Sequence, residues 1–197
     1  MKIYDISQEV LTCEVYPGDP KPKLTVLRSF ESGDVYNLSE ITMCAHNGTH
    51  IDAPSHFING GKSIGDIDLS KVVGEASVVE MSGNIGPTEV STILSSIKNV
   101  NSEASRRILI KGNATLTDDG AMALCNHGVL LVGTESQSVG PIDAPMSVHK
   151  ILLENDVAIL EGVRLSDVDE GTFILSAAPL NLASSEGSPC RAILIKI

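Results

Sequence analysis

No stretch of the 197 residues approaches the about 20 consecutive apolar positions that cross a bilayer, and Met1-Lys2-Ile3-Tyr4-Asp5 lacks the apolar core of a secretory signal. These absences predict a cytoplasmic protein with no membrane partner. Basic residues are also scarce. Fourteen Lys and Arg stand against 25 Asp and Glu, a formal net charge of −11, with no basic stripe to follow a nucleic-acid backbone. There is no Cys-x-x-Cys: Cys13, Cys44, Cys125 and Cys190 are scattered, the pattern of buried or half-buried thiols in a reducing compartment. Tryptophan is absent and aromatics make up only 3%. No linker, low-complexity segment or internal repeat divides the chain. Residues 1–197 are therefore expected to form a single domain around one large core.

What is present is a set of short β-branched and Leu-rich segments punctuated by Gly, Pro, Asn and Asp. They predict strands at Ile3–Val10, Lys23–Phe30, Ser39–Cys44, Ala76–Met81, Arg107–Lys111, Val129–Thr134, Val157–Val163, Thr172–Ala177 and Ala192–Ile197. Tyr16-Pro17-Gly18-Asp19-Pro20 marks a turn and loop between the first two. A helix is expected over Pro87–Ser96, with proline at its favoured first position. A second is expected over Ser147–Asn155, where Val148, Ile151 and Leu152 share a face and His149 lies off it. A short third helix is expected after Asp118, around Gly120–Cys125. The fold class is α/β, with more strand than helix.

The chain has five histidines, and three of them fall in His46-Asn47-Gly48-Thr49-His50-Ile51-Asp52-Ala53-Pro54-Ser55-His56. Imidazole and carboxylate together are the ligand set of Zn²⁺, Mn²⁺ or Fe²⁺. A helix would bring His46 and His50 together, but Gly48 weakens it, Asp52 falls on another face and Pro54 disrupts it. A curved loop after the Ser39–Cys44 strand is expected instead, with Gly48 bending the backbone and the Thr49 hydroxyl bracing it. One isolated histidine is usually a surface or satisfied polar residue; three with an aspartate in eleven residues is a metal-site pattern. Three ligands leave a metal open to water or substrate, as in catalytic sites. His56 is then free for proton transfer, the lesser reading being a further ligand or a neighbour of the ligands. The Cys44 thiol, two residues before His46, is a candidate lining group.

Glu161 is the best candidate for a further ligand. Alternation along Val157–Val163 puts it on one face with Val157, Ile159 and Val163. If that face is buried, the carboxylate needs a cation or hydrogen-bond donors; if it faces solvent, it needs neither. His149 precedes it closely enough in sequence to converge on the same point. His127, before a glycine at a strand start, reads as a turn residue.

These residues resemble the cyclase-like metal-dependent hydrolases, the family of bacterial kynurenine formamidases and isatin hydrolases. Its signature His-x-Gly-Thr-His-x-Asp-x-Pro-x-His stands complete from His46 to His56. The resemblance extends to Asp5-Ile6-Ser7, Val15–Pro20, Val132-Gly133-Thr134, the His149 helix, Ala158–Glu161 and Ser188–Ala192. It implies a swivelling β/β/α fold and a homodimer. It also implies one or two divalent ions per subunit, Zn or Mn: His46, His50 and Asp52 on the first, and Asp52 bridging to a second held by His149 and Glu161. His56 would be the general acid/base. Tyr16 would occupy a position often filled by Trp against an aromatic substrate, keeping a flat ring of smaller size.

The function expected is hydrolysis of a small N-formyl arylamine or cyclic amide. The rivals are a cyclase, lyase or dehydratase using the same centre, and a metal- or ligand-binding protein without activity. A spare His56 argues against the last.

Overall fold

The computed structural model describes residues 1–196. Nine strands form one sheet in the order β1-β13-β11-β5-β7-β9-β10-β4-β12. Its middle is parallel: β5 (Val73–Glu80), β7 (Arg107–Lys111), β9 (Leu131–Thr134) and β10 (Ala158–Glu161). Parallel neighbours need long crossovers, and helices supply them. α2 (Pro87–Lys98) joins β5 to β7, α3 (Asp118–Asn126) joins β7 to β9, and α4 (Met146–Glu154) joins β9 to β10. Antiparallel strands finish both sides: β1 (Lys2–Asp5), β13 (Ile193–Lys196) and β11 (Gly171–Ser176) on one, β4 (His50–Asp52) and β12 (Gly187–Pro189) on the other. A one-turn α1 (Leu69–Val72) leads into β5, and β6 (Gly83–Ile85) pairs with β8 (Ala114–Leu116) in a small parallel ladder.

The two faces of the sheet bury different cores. Ile108, Ile110, Val132 and Ile159 point to the helices and meet Leu94, Leu124 and Leu152. Leu109, Leu131 and Leu160 point the other way, as alternation requires, and join Ile51, Phe173 and Leu194 in a second core. Strands about 4.8 Å apart cannot bring Ile51 near the β12 edge and Leu194 near the β1 edge into one cluster unless the sheet curls. Curled strands with helices on one side are the β/β/α arrangement that the family resemblance implies. β7 is apolar on both faces because both faces are covered.

The expected helices are all present. Thr117 caps α3, its Oγ accepting from the Gly120 amide at 3.1 Å. His127, exposed at the C-cap of α3, is a turn residue as read. Several strand expectations need correction. β1 stops at Asp5, because the Ile6 amide bonds Ala192 and the chain then turns away. β10 stops at Glu161: Gly162 takes φ +70°, so Val163 falls into the second core rather than sharing the Glu161 face. β6, β8 and β12 carry no sequence signal long enough to read. Ile197, the expected end of the last strand, lies outside the described residues.

Beside the main sheet, β2 (Lys23–Arg28) and β3 (Leu38–Thr42) form an antiparallel ribbon that joins no other strand among the described residues. Its residues are exposed on both faces apart from a half-buried Thr25.

Candidate metal and hydrolase site

The His-rich segment is part turn and part strand. Residues 45–49 turn, with Gly48 at φ +70°, and His50–Asp52 then enters the sheet as β4 between β10 and β12. The expected curved loop is thus replaced over these three residues by a strand paired on both sides. Ile51, fully buried in the second core, anchors it with roughly 1.5–3 kcal/mol of apolar burial. Alternation then sends His50 and Asp52 to the opposite face. Register places Glu161 directly across from His50 and Ile159 across from Asp52. The Glu161 face is therefore the buried, helix-side one, and Glu161 is only 4% exposed.

Thr49 braces the turn as expected. Its hydroxyl donates to the Gly162 carbonyl at 2.7 Å and accepts from the Gln8 amide at 2.9 Å. The two buried histidines are oriented the same way. His50 Nδ1 donates to the Gly48 carbonyl at 3.0 Å, and His149 Nδ1 donates to the Pro145 carbonyl at 2.8 Å. Each leaves Nε2 facing the carboxylates. His149 is buried at 3%, on the first-core side of α4 with Val148 and Leu152.

Asp52 stands at the centre. Its Oδ1 lies 3.0 Å from His46 Nδ1 and 3.3 Å from His50 Nε2, and its Oδ2 lies 3.5 Å from His149 Nε2. Glu161 Oε1 lies 3.0 Å from His149 Nε2 and accepts from the Val139 amide at 2.7 Å, while Oε2 is 3.4 Å from His50 Nε2. Two groups with converging ligand atoms result, His46-His50-Asp52 and Asp52-His149-Glu161, with Asp52 common to both. His46 Nε2, His50 Nε2 and Asp52 Oδ2 are buried without a hydrogen-bond partner. Buried polar atoms left so are costly. Nitrogen and carboxylate donors facing one another at such distances fit a divalent cation.

Charge follows from the same contacts. Burial works against a charged His50, but the Asp52 and Glu161 carboxylates facing its Nε2 raise its pKa to about 10. Burial opposes ionisation of Asp52 as well, yet His46 and His50 hold its carboxyl well below the ordinary value. Burial also disfavours a charged His149, and Glu161 beside it outweighs that and raises its pKa. His56 differs: burial pushes its pKa down from 6.5. It sits in a short 3-10 turn after Pro54, its ring stacked on His46 with centroids 4.0 Å apart and 6.2 Å from His149. It is thus beside both groups and neutral at pH 7.

His46, His50, His56, His149 and Glu161 border a cavity of about 380 Å³. Tyr16 forms one wall, its hydroxyl donating to the Ile142 carbonyl at 2.7 Å, and Cys44 lines it as anticipated. All four cysteines are half-buried and unpaired. Phe57, Ser138 and Glu186 also line the cavity. Phe57 carries a sequence signal, following His56 in a chain with three Phe. Ser138 and Glu186 carry none, because a single Ser or Glu in a loop is what most surfaces contain.

Residues 4–141 match the family Cyclase, described as putative cyclase, and the chain belongs to it. More particularly, it is 35% identical to the kynurenine formamidase of Bacillus cytotoxicus, over 96% of this chain and 95% of that protein. Among solved structures, one described as a potential metal-dependent hydrolase with cyclase activity superposes with a TM-score of 0.80 at 28% identity, covering 98% of this chain and 96% of that one. Isatin hydrolase A from Labrenzia aggregata superposes with a TM-score of 0.80 at 19% identity, covering 98% and 93%, a likeness of fold. No helix among the described residues is long and apolar enough to cross a membrane.

Proposed function

We propose that this protein is a metal-dependent amidohydrolase that cleaves the C–N bond of a small N-formyl arylamine or cyclic amide. The observation that carries the reading is Asp52, buried and shared by two groups of converging ligand atoms, with its Oδ2 and the His50 Nε2 left without a hydrogen-bond partner. His46, His50 and Asp52 hold one divalent ion, and Asp52, His149 and Glu161 hold a second when two are bound; Zn or Mn suits this mixed imidazole–carboxylate set. Such an ion polarises the amide carbonyl and makes water more acidic. His56, neutral and beside both groups, takes the proton of the attacking water and returns it to the leaving nitrogen. Tyr16 offers a flat wall, held by its hydroxyl bond, for the substrate ring. The whole chain works as one catalytic domain in the cytoplasm. It assembles as a homodimer through the β2–β3 ribbon, whose Val26 and Ile41 are each at least 60% exposed, as is Phe30 in the connection between the strands.

The test measures bound metal and hydrolysis together. N-Formylkynurenine, isatin and simple cyclic amides are offered to protein stripped of metal and to protein loaded with Zn²⁺, Mn²⁺ or Mg²⁺. Metal-dependent gain of water by one of them is expected. Protein that takes up no divalent metal and hydrolyses none of the panel would end the reading. The family's description as putative cyclase favours ring closure as the competing reaction, which product mass separates from hydrolysis.

A further inference from the structure

The cavity wall has an uneven charge that the proposed chemistry does not use. Besides Glu161, three carboxylates line it, Glu14, Asp19 and Glu186, and no Lys or Arg does so among the described residues. Glu186 Oε1 is 3.6 Å from His46 Nε2, at the edge of the first ligand group. Asp19 lies on the Tyr16 turn, its amide bonded to the Tyr16 carbonyl at 3.0 Å. Among the described residues neither Glu14 nor Asp19 forms an ion pair. The cavity also calls for an occupant on independent grounds. Buried Ser138 Oγ, on a lining residue that is 3% exposed and belongs to neither ligand group, has no hydrogen-bond partner.

We infer that this pocket selects substrates whose non-reacting end carries a positive charge, an ammonium above all, and rejects those bearing only a carboxylate there, with Glu14, Asp19 and Glu186 as the selecting groups. The proposal rests on the amidohydrolase reading and names its substrate class. A ring lying on Tyr16 presents its substituent to Asp19, while the scissile amide points to Asp52 and His56. The wall charges are separate from the ligand carboxylates, which a bound cation neutralises. Because the wall groups are partly exposed, each contributes modestly, and the three together amount to roughly tenfold in kcat/KM.

Three formanilides of one ring size test it on metal-loaded protein: unsubstituted, meta-aminomethyl and meta-carboxymethyl. The expected order is cation, neutral, anion, with the cation favoured about tenfold over the neutral compound and the gap narrowing at high salt. In E14Q/D19N and in E14Q/D19N/E186Q the cation-to-neutral ratio falls towards one. A carboxylate substrate equal to or better than the cation, or a ratio untouched by both variants, overturns the proposal. Binding supplies the arm that needs no turnover. Calorimetry should find benzylammonium bound about tenfold tighter than benzyl alcohol, with the difference lost in the variants; equal affinities in the unaltered protein refute the selection. Hydrolysis of none of the anilides, N-formylkynurenine, isatin or cyclic amides, together with cation-selective binding, sinks the amidohydrolase reading and leaves the charge selection standing.

Discussion

His56 and His50 are six residues apart and have opposite electrostatics. His50 faces two carboxylates and holds its proton; His56 is surrounded by other imidazoles and Phe57 and gives its proton up. In the proposed mechanism this contrast separates a ligand from a proton carrier. His56→Ala is expected to retain metal and lose about 10²–10⁴-fold in kcat, the usual contribution of a general acid/base. Metal analysis beside steady-state kinetics checks it; loss of metal in the variant would make His56 a ligand. The pairing also sets a pH profile for metal-free protein. His50 is raised from 6.5 to about 10, so its contribution is full below pH 6.5 and fades as pH climbs through about 10. Asp52 is depressed, so its contribution is present above its ordinary value of 3.8 and is lost as pH falls through its lower folded value. Thermal melts of metal-free protein should therefore peak between about pH 4 and 6.5 and decline on both sides. Metal must displace the His50 proton, so its affinity rises with pH and binding releases protons, which calorimetry in buffers of different ionisation heat detects.

At the scale of elements, the site depends on β4 being a strand with neighbours on both sides. β12 approaches so closely that a Cβ at Gly187 would stand 2.6 Å from His46 Cε1. Gly187→Ala is thus expected to push the His46 ring out of the first ligand group. Metal affinity should fall at least tenfold with secondary structure retained, as read by metal titration and circular dichroism. An unchanged affinity would show that the ring can move without cost. The ligand residues themselves were legible, because imidazoles and carboxylates at tight spacing have a chemical meaning independent of fold. The strand they occupy was not. His50–Asp52 is three residues long, flanked by Gly48 and Pro54, and its pairing partners lie more than a hundred residues away at β10 and β12. No local period can announce a strand whose hydrogen bonds are all non-local. Alternation did place Glu161 on the Ile159 face, and it failed at Val163 only because Gly162 reverses the backbone.

For the whole molecule, the β2–β3 ribbon is the element the monomer leaves unexplained. An isolated two-stranded hairpin is marginal in water, and this one exposes Leu24, Val26 and Ile41 at 45%, 61% and 60%. In the proposed homodimer those side chains are covered. Val26→Asp/Ile41→Asp should convert a dimer to a monomer by sedimentation velocity while the metal site still fills. A monomeric unaltered protein would remove the ribbon's proposed role.

By itself the sequence determined the α/β class, the three principal helices, the strands of the sheet's middle and the candidate donor residues, since each rests on short-range periodicity or on local side-chain chemistry. The tertiary structure alone decided which donors meet. His149 and Glu161 join Asp52 because α4 packs on the face that β10 and β4 share, and because the register sets Glu161 across from His50. It also decided the acidic wall: Glu14, Asp19 and Glu186 have no common spacing in the chain, and only the curl of the sheet and the packing of its loops bring them to one cavity.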